Sequence, residues 1–150
     1  MKPVAVNKQA YFNYEILETF EAGIALLGSE VKSVREGRVS LKDSYADVKG
    51  REIFLYQLHI SPYEAANIFN HEPLRVRKLL LHKREIKRLT GKIKERGLAL
   101  VVTKVLFTDK GLVKVELALA KGRKLYEKKE VIKERDRARE ARAALKNPRR

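Results

Sequence analysis

The chain of 150 residues carries 34 Lys and Arg against 19 Asp and Glu, a formal net charge of +15, with a pI near 10.1. That length suits one domain, and an apolar content of 44% is enough for a core, so the chain as a whole is not disordered. It has no cysteine, which excludes disulfides, thiolate nucleophiles and Cys-ligated zinc.

The charge points to an anionic partner. A membrane is the weaker choice, because no apolar run approaches ~18 residues and the start, MKPVAVNKQA, has no signal-peptide core. The cytoplasm is the expected compartment.

After an extended arm containing Pro3, residues 10–19 (AYFNYEILET) mix aromatic, β-branched and polar side chains and predict a strand. Residues 20–23 (FEAG) predict a tight reversal into a second strand at 24–27, with Gly23 there for φ freedom or for a close backbone approach. Residues 28–37 predict a two-turn helix with Ser29 as N-cap, Glu30 in the first turn and Gly37 just past the end. Val31 and Val34 are its core-facing pair.

Residues 44–48 and 52–59, joined by Lys49-Gly50-Arg51, predict a hairpin. Residues 61–73 read as a loop, and Leu79 to Leu81 as an extended entry to a helix. In that helix, Ile86, Leu89 and Ile93 recur at helical spacing up to Gly97, with an outer face of Lys83, Arg84, Lys87, Arg88, Lys92 and Lys94. Residues 98–108 and 112–120 predict a second hairpin. In its latter half Val113, Val115, Leu117 and Leu119 alternate with Lys114, Glu116, Ala118 and Ala120.

The expected fold is therefore mainly β with short helices: a six-stranded antiparallel barrel of oligonucleotide-binding type, with two to three helices. The barrel domain spans 1–120 and a basic tail spans 121–150. The tail has 13 Lys and Arg against 5 Asp and Glu, a net of +8, and too few apolar side chains to offset its ordering entropy. Favourable i,i+3 pairs such as Glu130–Lys133 are matched by like-charge i,i+4 pairs such as Lys129–Lys133 and Glu130–Glu134. Such a segment is expected to be disordered alone and helical once phosphates neutralise it. Pro148 should stop any helix.

No catalytic constellation is visible. His59, His71 and His82 stand in unrelated contexts, the four aspartates form no Mg²⁺ set, and there is no P-loop, GxGxxG or GxSxG. No cofactor or metal is expected. The basic helix is more than a solvated face, because Glu85 and Glu95 are its only acids; Lys83, Lys87 and Lys94 are the expected RNA contacts on it. Tyr126, where the charge run starts, is a candidate stacking platform for a base, with packing on the barrel as the alternative.

The segments NKQAYFNYEI, FEAGIALLGSEVKSVREG, DSY, RKLLLH, the EI–KRLTGKI helix and KGRKLYEKKEVIKERD occur in this order. In this the chain resembles small protein B, the SsrA-binding family that partners transfer-messenger RNA in bacterial trans-translation. The resemblance implies a non-enzymatic, monomeric adaptor, with no membrane partner, that binds the tRNA-like domain of that RNA. Elongation factor Tu would join through the RNA complex, and the ribosome would be met at its decoding centre and empty mRNA channel.

The family's RNA-contact positions fall on Asn7, Glu21, Gly23, Lys78 and Leu80, with the neighbouring Lys8, Lys32 and Arg77. The ribosome-facing tail positions are Gly122, Lys124, Tyr126, Lys128, Lys129, Lys133 and Arg135. Glu127-Lys128-Lys129 stands where many relatives have Asp-Lys-Arg, and Tyr126 where some have His. Lys129 thus lacks the bidentate fork of Arg. A structural ribosomal RNA-binding protein is the alternative that fits charge and barrel equally.

Overall fold

The computed structural model describes residues 2–65 and 70–146. In chain order these form β1 (Lys2–Val6), α1 (Lys8–Asn13), β2 (Tyr14–Ile24), α2 (Gly28–Arg35), β3 (Val39–Ser40), β4 (Tyr45–Lys49) and β5 (Glu52–Tyr56). There follow β6 (His59–Ile60), β7 (Arg77–Leu80), α3 (Lys83–Arg96), β8 (Ala99–Phe107), β9 (Val113–Gly122) and α4 (Leu125–Lys146). Seven strands make one antiparallel sheet in the order β1-β8-β9-β2-β7-β5-β4, and β3 pairs with β6 separately.

The expected six strands are nine among the described residues, and the helices are four. The sheet coils until β4 comes within 8 Å of β8 between Cα atoms, yet no ladder joins them. β1 takes the 104–107 half of the outer edge of β8, and β4 faces residues 98–101 across a groove. The barrel is therefore open along β4.

One core fills the inside, with Ile53, Leu55, Leu79, Val102, Val115 and Leu117 at 0–1% exposure and Leu89 of α3 inserted among them. A second, smaller cluster lies where α1 covers β8 and β9: Ala10, Val101, Ala118 and Ala120, with Tyr14 and Ile16 packed against it. This is why the alternation in β9 turns to alanine. Ala118 and Ala120 face a helix, and only small side chains let it approach.

Residues 10–19 are not one strand. Asn7 Oδ1 accepts from the Ala10 N–H (3.1 Å), Asn7 Nδ2 donates to Val102 O (3.1 Å), and the Asn7 backbone N–H donates to Thr103 O (2.7 Å). These bonds start a helix at Lys8 despite the β-forming aromatics, a tertiary anchor overriding local propensity. No reversal occurs at 20–23 either. Tyr14–Ile24 is a single strand, paired with β9 as far as Gly23 and with β7 at Gly23 and Ile24. Gly23 serves close approach: a Cβ there would stand 3.2 Å from Leu80 Cβ.

Helix α2 begins one residue before Ser29, with Leu27 as its N-cap. Gly37 is left-handed (φ 77°), as a residue beyond a helix end often is. The first hairpin turns on two residues, Gly50 and Arg51, since Lys49 pairs with Glu52. Run 52–59 breaks at Gln57, whose φ is 61°, so that His59 and Ile60 leave to pair with β3. Helix α3 and the β8–β9 hairpin match their expectations, and Gly97 ends α3 in the left-handed region (φ 61°).

The expected loop at 61–73 has no helix or strand in its described part, and residues 66–69 lie outside it. Strand β9 runs past the composition break at Lys121 to Gly122, and α4 follows from Leu125; residues 147–150, with Pro148, lie outside the described residues. Among the described residues no helix is long and apolar enough to cross a membrane.

Leu89, at 0% exposure, plugs α3 into the main core. Leu89→Ala should cost about 2–5 kcal/mol, read as a lower urea midpoint at unchanged m-value.

Candidate nucleic-acid interface

The first turn of α2 presents Glu30 to the interior, where both it and Arg77 are fully buried. Glu30 Oε1 accepts from the Leu27 N–H (2.8 Å) and from Arg75 Nη2 (2.5 Å), while Oε2 bonds Arg77. Arg77 also donates from Nη1 to Leu58 O (2.6 Å) and from Nη2 to Pro73 O (3.2 Å).

Burial opposes the Glu30 charge, but the bonds from Arg75 and the Leu27 amide, with the Arg77 charge, outweigh it and hold its pKa below the ordinary 4.5. Burial lowers the Arg77 pKa, and Glu30 offsets that only in part. Beside this pair, Ser29 Oγ lies 2.8 Å from His71 Nδ1, and His71 Nε2–H donates to Ile60 O (2.9 Å). Arg77, expected at the surface, is buried in this ion pair. The expected N-cap is corrected: Ser29 spends its hydroxyl on His71 instead of capping α2.

This cluster fixes how β7 meets β2. The Ala25 N–H donates to Lys78 O (3.0 Å) and Gly23 pairs with Leu80. Because Arg77 and Leu79 point inward, Lys78 and Leu80 point out, on the same face as Glu21 and Gly23. Leu80 is 50% exposed over the bare backbone of Gly23. Glu21 pairs with Lys114 (2.7 Å) and Lys78 with Glu52 (3.1 Å), both at the surface.

The face continues over β5 and β4. Phe54 stands opposite Lys78, Tyr45 and Tyr56 stack with centroids 5.1 Å apart, and Lys49 Nζ lies 5.0 Å over the Tyr56 ring. Sequence reasoning did not assemble this aromatic extension. The outward phase of Glu52, Phe54 and Tyr56 in β5 was its available signal.

Four expected body contacts are thus brought together: Glu21, Gly23, Lys78 and Leu80. The others are not on that face. The Asn7 side chain is 8% exposed and occupied in capping α1 and holding β8. Lys8 is exposed on α1, and Lys32 is exposed on α2 with its Nζ 5.5 Å over the Tyr63 ring.

On α3 the cations divide. Arg88 and Lys92 both bind Glu18 (2.5 and 2.6 Å) and are spent on the sheet; the Lys92 bond, foremost, holds the Glu18 pKa below the usual carboxylate range. Lys83 and Lys87 are exposed and, with Arg51, edge a cleft of about 490 Å³. Lys94 lines a larger groove, about 1130 Å³, between α1, the free edge of β4 and the start of β8. The hollows meet at Gly50 and Thr90, so Lys83, Lys87 and Lys94 lie along one trough.

In the tail, Gly122 ends β9, the Lys124 N–H donates to Glu127 (3.2 Å), and Tyr126 is 73% exposed. Lys129, Lys133 and Arg135 are exposed along α4, with Lys133 3.7 Å from Glu130; Lys128 is half-buried. Among the described residues, no three His, Asp or Glu side chains are grouped to hold a metal ion.

The model of the family described as "SmpB protein" matches residues 4–147. The chain belongs to this family. It is 65% identical over 137 residues to an SsrA-binding protein of Syntrophobacter fumaroxidans, covering 91% of this chain and 84% of that one. It is 57% identical to the SsrA-binding protein of Symbiobacterium thermophilum, covering 97% and 92%. A solved chain described as "tmRNA-SmpB: a journey to the center of the bacterial ribosome" superposes with a TM-score of 0.68 at 49% identity, over 85% of this chain and 92% of that one. In this SmpB-family chain the oligonucleotide-binding-type sheet is thus present, with its barrel left open at β4.

Glu30→Gln would leave Arg77 buried without its counter-charge and should cost about 3–5 kcal/mol at neutral pH. Because the folded-state pKa of Glu30 is depressed, its contribution is complete above pH 4.5 and is lost as pH falls through the folded value. Urea titrations of the variant should therefore show a shallower loss of stability below pH 4.5 than the native chain.

Proposed function

We propose that this chain is a non-enzymatic adaptor that binds the tRNA-like domain of a transfer-messenger RNA and carries it to stalled ribosomes. The observation that carries the reading is the Gly23–Leu80 pairing, which sets an exposed apolar side chain on bare backbone between Glu21 and Lys78. A side chain so placed can pack on an unstacked base or sugar, and the flanking charges can register hydroxyls and phosphates. The names of the SsrA-binding relatives and the family membership support this choice of RNA. The solved relative, described with tmRNA and the bacterial ribosome, supports the ribosomal setting.

In this reading the body, through the end of β9, is the RNA domain and α4 is the arm for the ribosome. Lys124, Tyr126, Lys128, Lys129, Lys133 and Arg135 meet the decoding centre and empty mRNA channel. Elongation factor Tu joins through the RNA, and the work is cytoplasmic. The trough on α3 adds phosphate contacts through Lys83, Lys87 and Lys94. Lys8 and Lys32 add diffuse attraction. Asn7 acts by holding α1 in place.

A chain ended after Lys124 keeps β9 whole and removes α4. It should bind the isolated tRNA-like RNA with native affinity and fail to support peptide tagging on stalled ribosomes. Equal loss of both activities would refute the division into two surfaces. Replacing Lys83, Lys87 and Lys94 together by Glu should weaken RNA binding and lower the slope of log K against log salt by about 2–3. An unchanged slope would mean that this face is only solvated.

A further inference from the structure

Strand β2 and helix α3 meet over one carboxylate. In β2, Glu18 and Phe20 stand opposite Leu119 and Leu117 of β9, both buried, so their side chains take the inward phase while Thr19 and Glu21 take the outward one. Helix α3 packs on the same core through Ile86, Leu89 and Ile93, and two ridges of cations flank that apolar face. Lys83, Lys87 and Lys94 form the ridge along the trough. Arg88 and Lys92, spaced i and i+4, form the other, and both turn onto Glu18: Arg88 Nη2 donates to Oε1 (2.5 Å) and Lys92 Nζ to Oε2 (2.6 Å). Arg88 Cζ also lies 5.7 Å from the centroid of the Phe20 ring. Each carboxylate oxygen thus holds one cation, and the Lys92 bond above all, with the charges of both cations, keeps Glu18 ionised through neutral pH. Glu95, on the same helix, is exposed and makes no ion pair among the described residues.

We infer that Glu18 sets the specificity of RNA binding by withholding Arg88 and Lys92 from phosphate, so that α3 offers RNA one ridge of cations instead of two. An ion pair exposed on the Arg88 side adds little to stability, so stability alone gives no reason for one acid to hold two cations. A phosphate approaching this ridge meets donors already filled by a carboxylate, and the charge of Glu18 repels it. Non-specific binding consists almost wholly of phosphate neutralisation, so each further free cation strengthens it for every RNA alike. Binding to a folded RNA also draws on shape and on contacts at fixed places, which a second ridge does not change. Taking two cations out of the count therefore weakens the hold on arbitrary RNA more than the hold on the tRNA-like one. Glu18 is a positioning residue, because it acts only through Arg88 and Lys92. The inference rests on the reading of α3 as a phosphate-binding helix and adds the residue that limits how much of that helix takes part.

The test compares Glu18→Gln with Glu95→Gln in the full chain, since both make the same change in net charge on or beside α3. Binding to poly(U) and to the isolated tRNA-like RNA is measured across a range of salt concentrations. Glu18→Gln should bind poly(U) about 5-fold tighter at about 0.1 M salt and steepen the slope of log K against log salt by about 1, while its affinity for the tRNA-like RNA rises less than about 2-fold. Glu95→Gln should leave the poly(U) slope native. Adding Arg88→Gln and Lys92→Gln to Glu18→Gln should return the slope to the native value, a reversal that a merely structural role for Glu18 does not produce. Gln keeps the shape of Glu18, so the thermal transition should stay native, and damage to the fold would lower both affinities instead of raising one. Equal poly(U) slopes for Glu18→Gln and Glu95→Gln, or a lowered affinity of Glu18→Gln for both RNAs, overturns the inference. A native chain that binds the tRNA-like RNA no tighter than poly(U) would refute the adaptor reading instead and leave the comparison on poly(U) standing.

Discussion

The buried pair Glu30–Arg77 is the constraint on which the outward face of β2 and β7 depends. Removing two charges from water costs several kcal/mol each, and only close pairing with every remaining donor and acceptor filled offsets it. Here the carboxylate takes bonds from Leu27, Arg75 and Arg77, and the Arg77 guanidinium reaches Leu58 and Pro73 as well. One ionic centre thus joins α2, the link between β5 and β6, and the chain entering β7. Since Arg77 is held inward, alternation along β7 turns Lys78 and Leu80 outward, beside Glu21 and Gly23 of β2.

The second organising fact is the open side of the sheet. β1 occupies one half of the outer edge of β8, while β4 approaches the other half without pairing and a groove remains between them. Helices α1 and α3 wall that groove. α3 spends Arg88 and Lys92 on Glu18 and leaves Lys83, Lys87 and Lys94 along the trough. α1 carries little charge, but its last residue, Asn13, accepts the Arg123 N–H at the root of the tail. Body and tail thus share one small helix whose position depends on Asn7.

Strongly periodic segments were legible. α3, with Ile86 and Leu89 buried and Gly97 at its end, and the β8–β9 hairpin follow from residue spacing alone. The segment at 8–24 was not. Its aromatics favour a strand, and the helix at Lys8–Asn13 exists because Asn7 is anchored to Val102, 95 residues away. The break at Gln57 likewise has no local signal; it arises because His59 and Ile60 pair with β3. Among the expected contacts, Leu80 and Lys78 were reached through family motifs, whereas the burial of Arg77 could not be read from an arginine in a basic stretch.

Charge, the lack of cysteine, the amphipathic phase of α3 and the basic arm after β9 are properties of composition and spacing, and the sequence by itself determined them. Which cations are free and which are spent is a property of distance in space. Arg77 against Glu30, and Arg88 and Lys92 against Glu18, are pairings between elements far apart in the chain. Only the tertiary structure decided them, because a charge becomes structural or available according to what folding brings within a few ångströms of it.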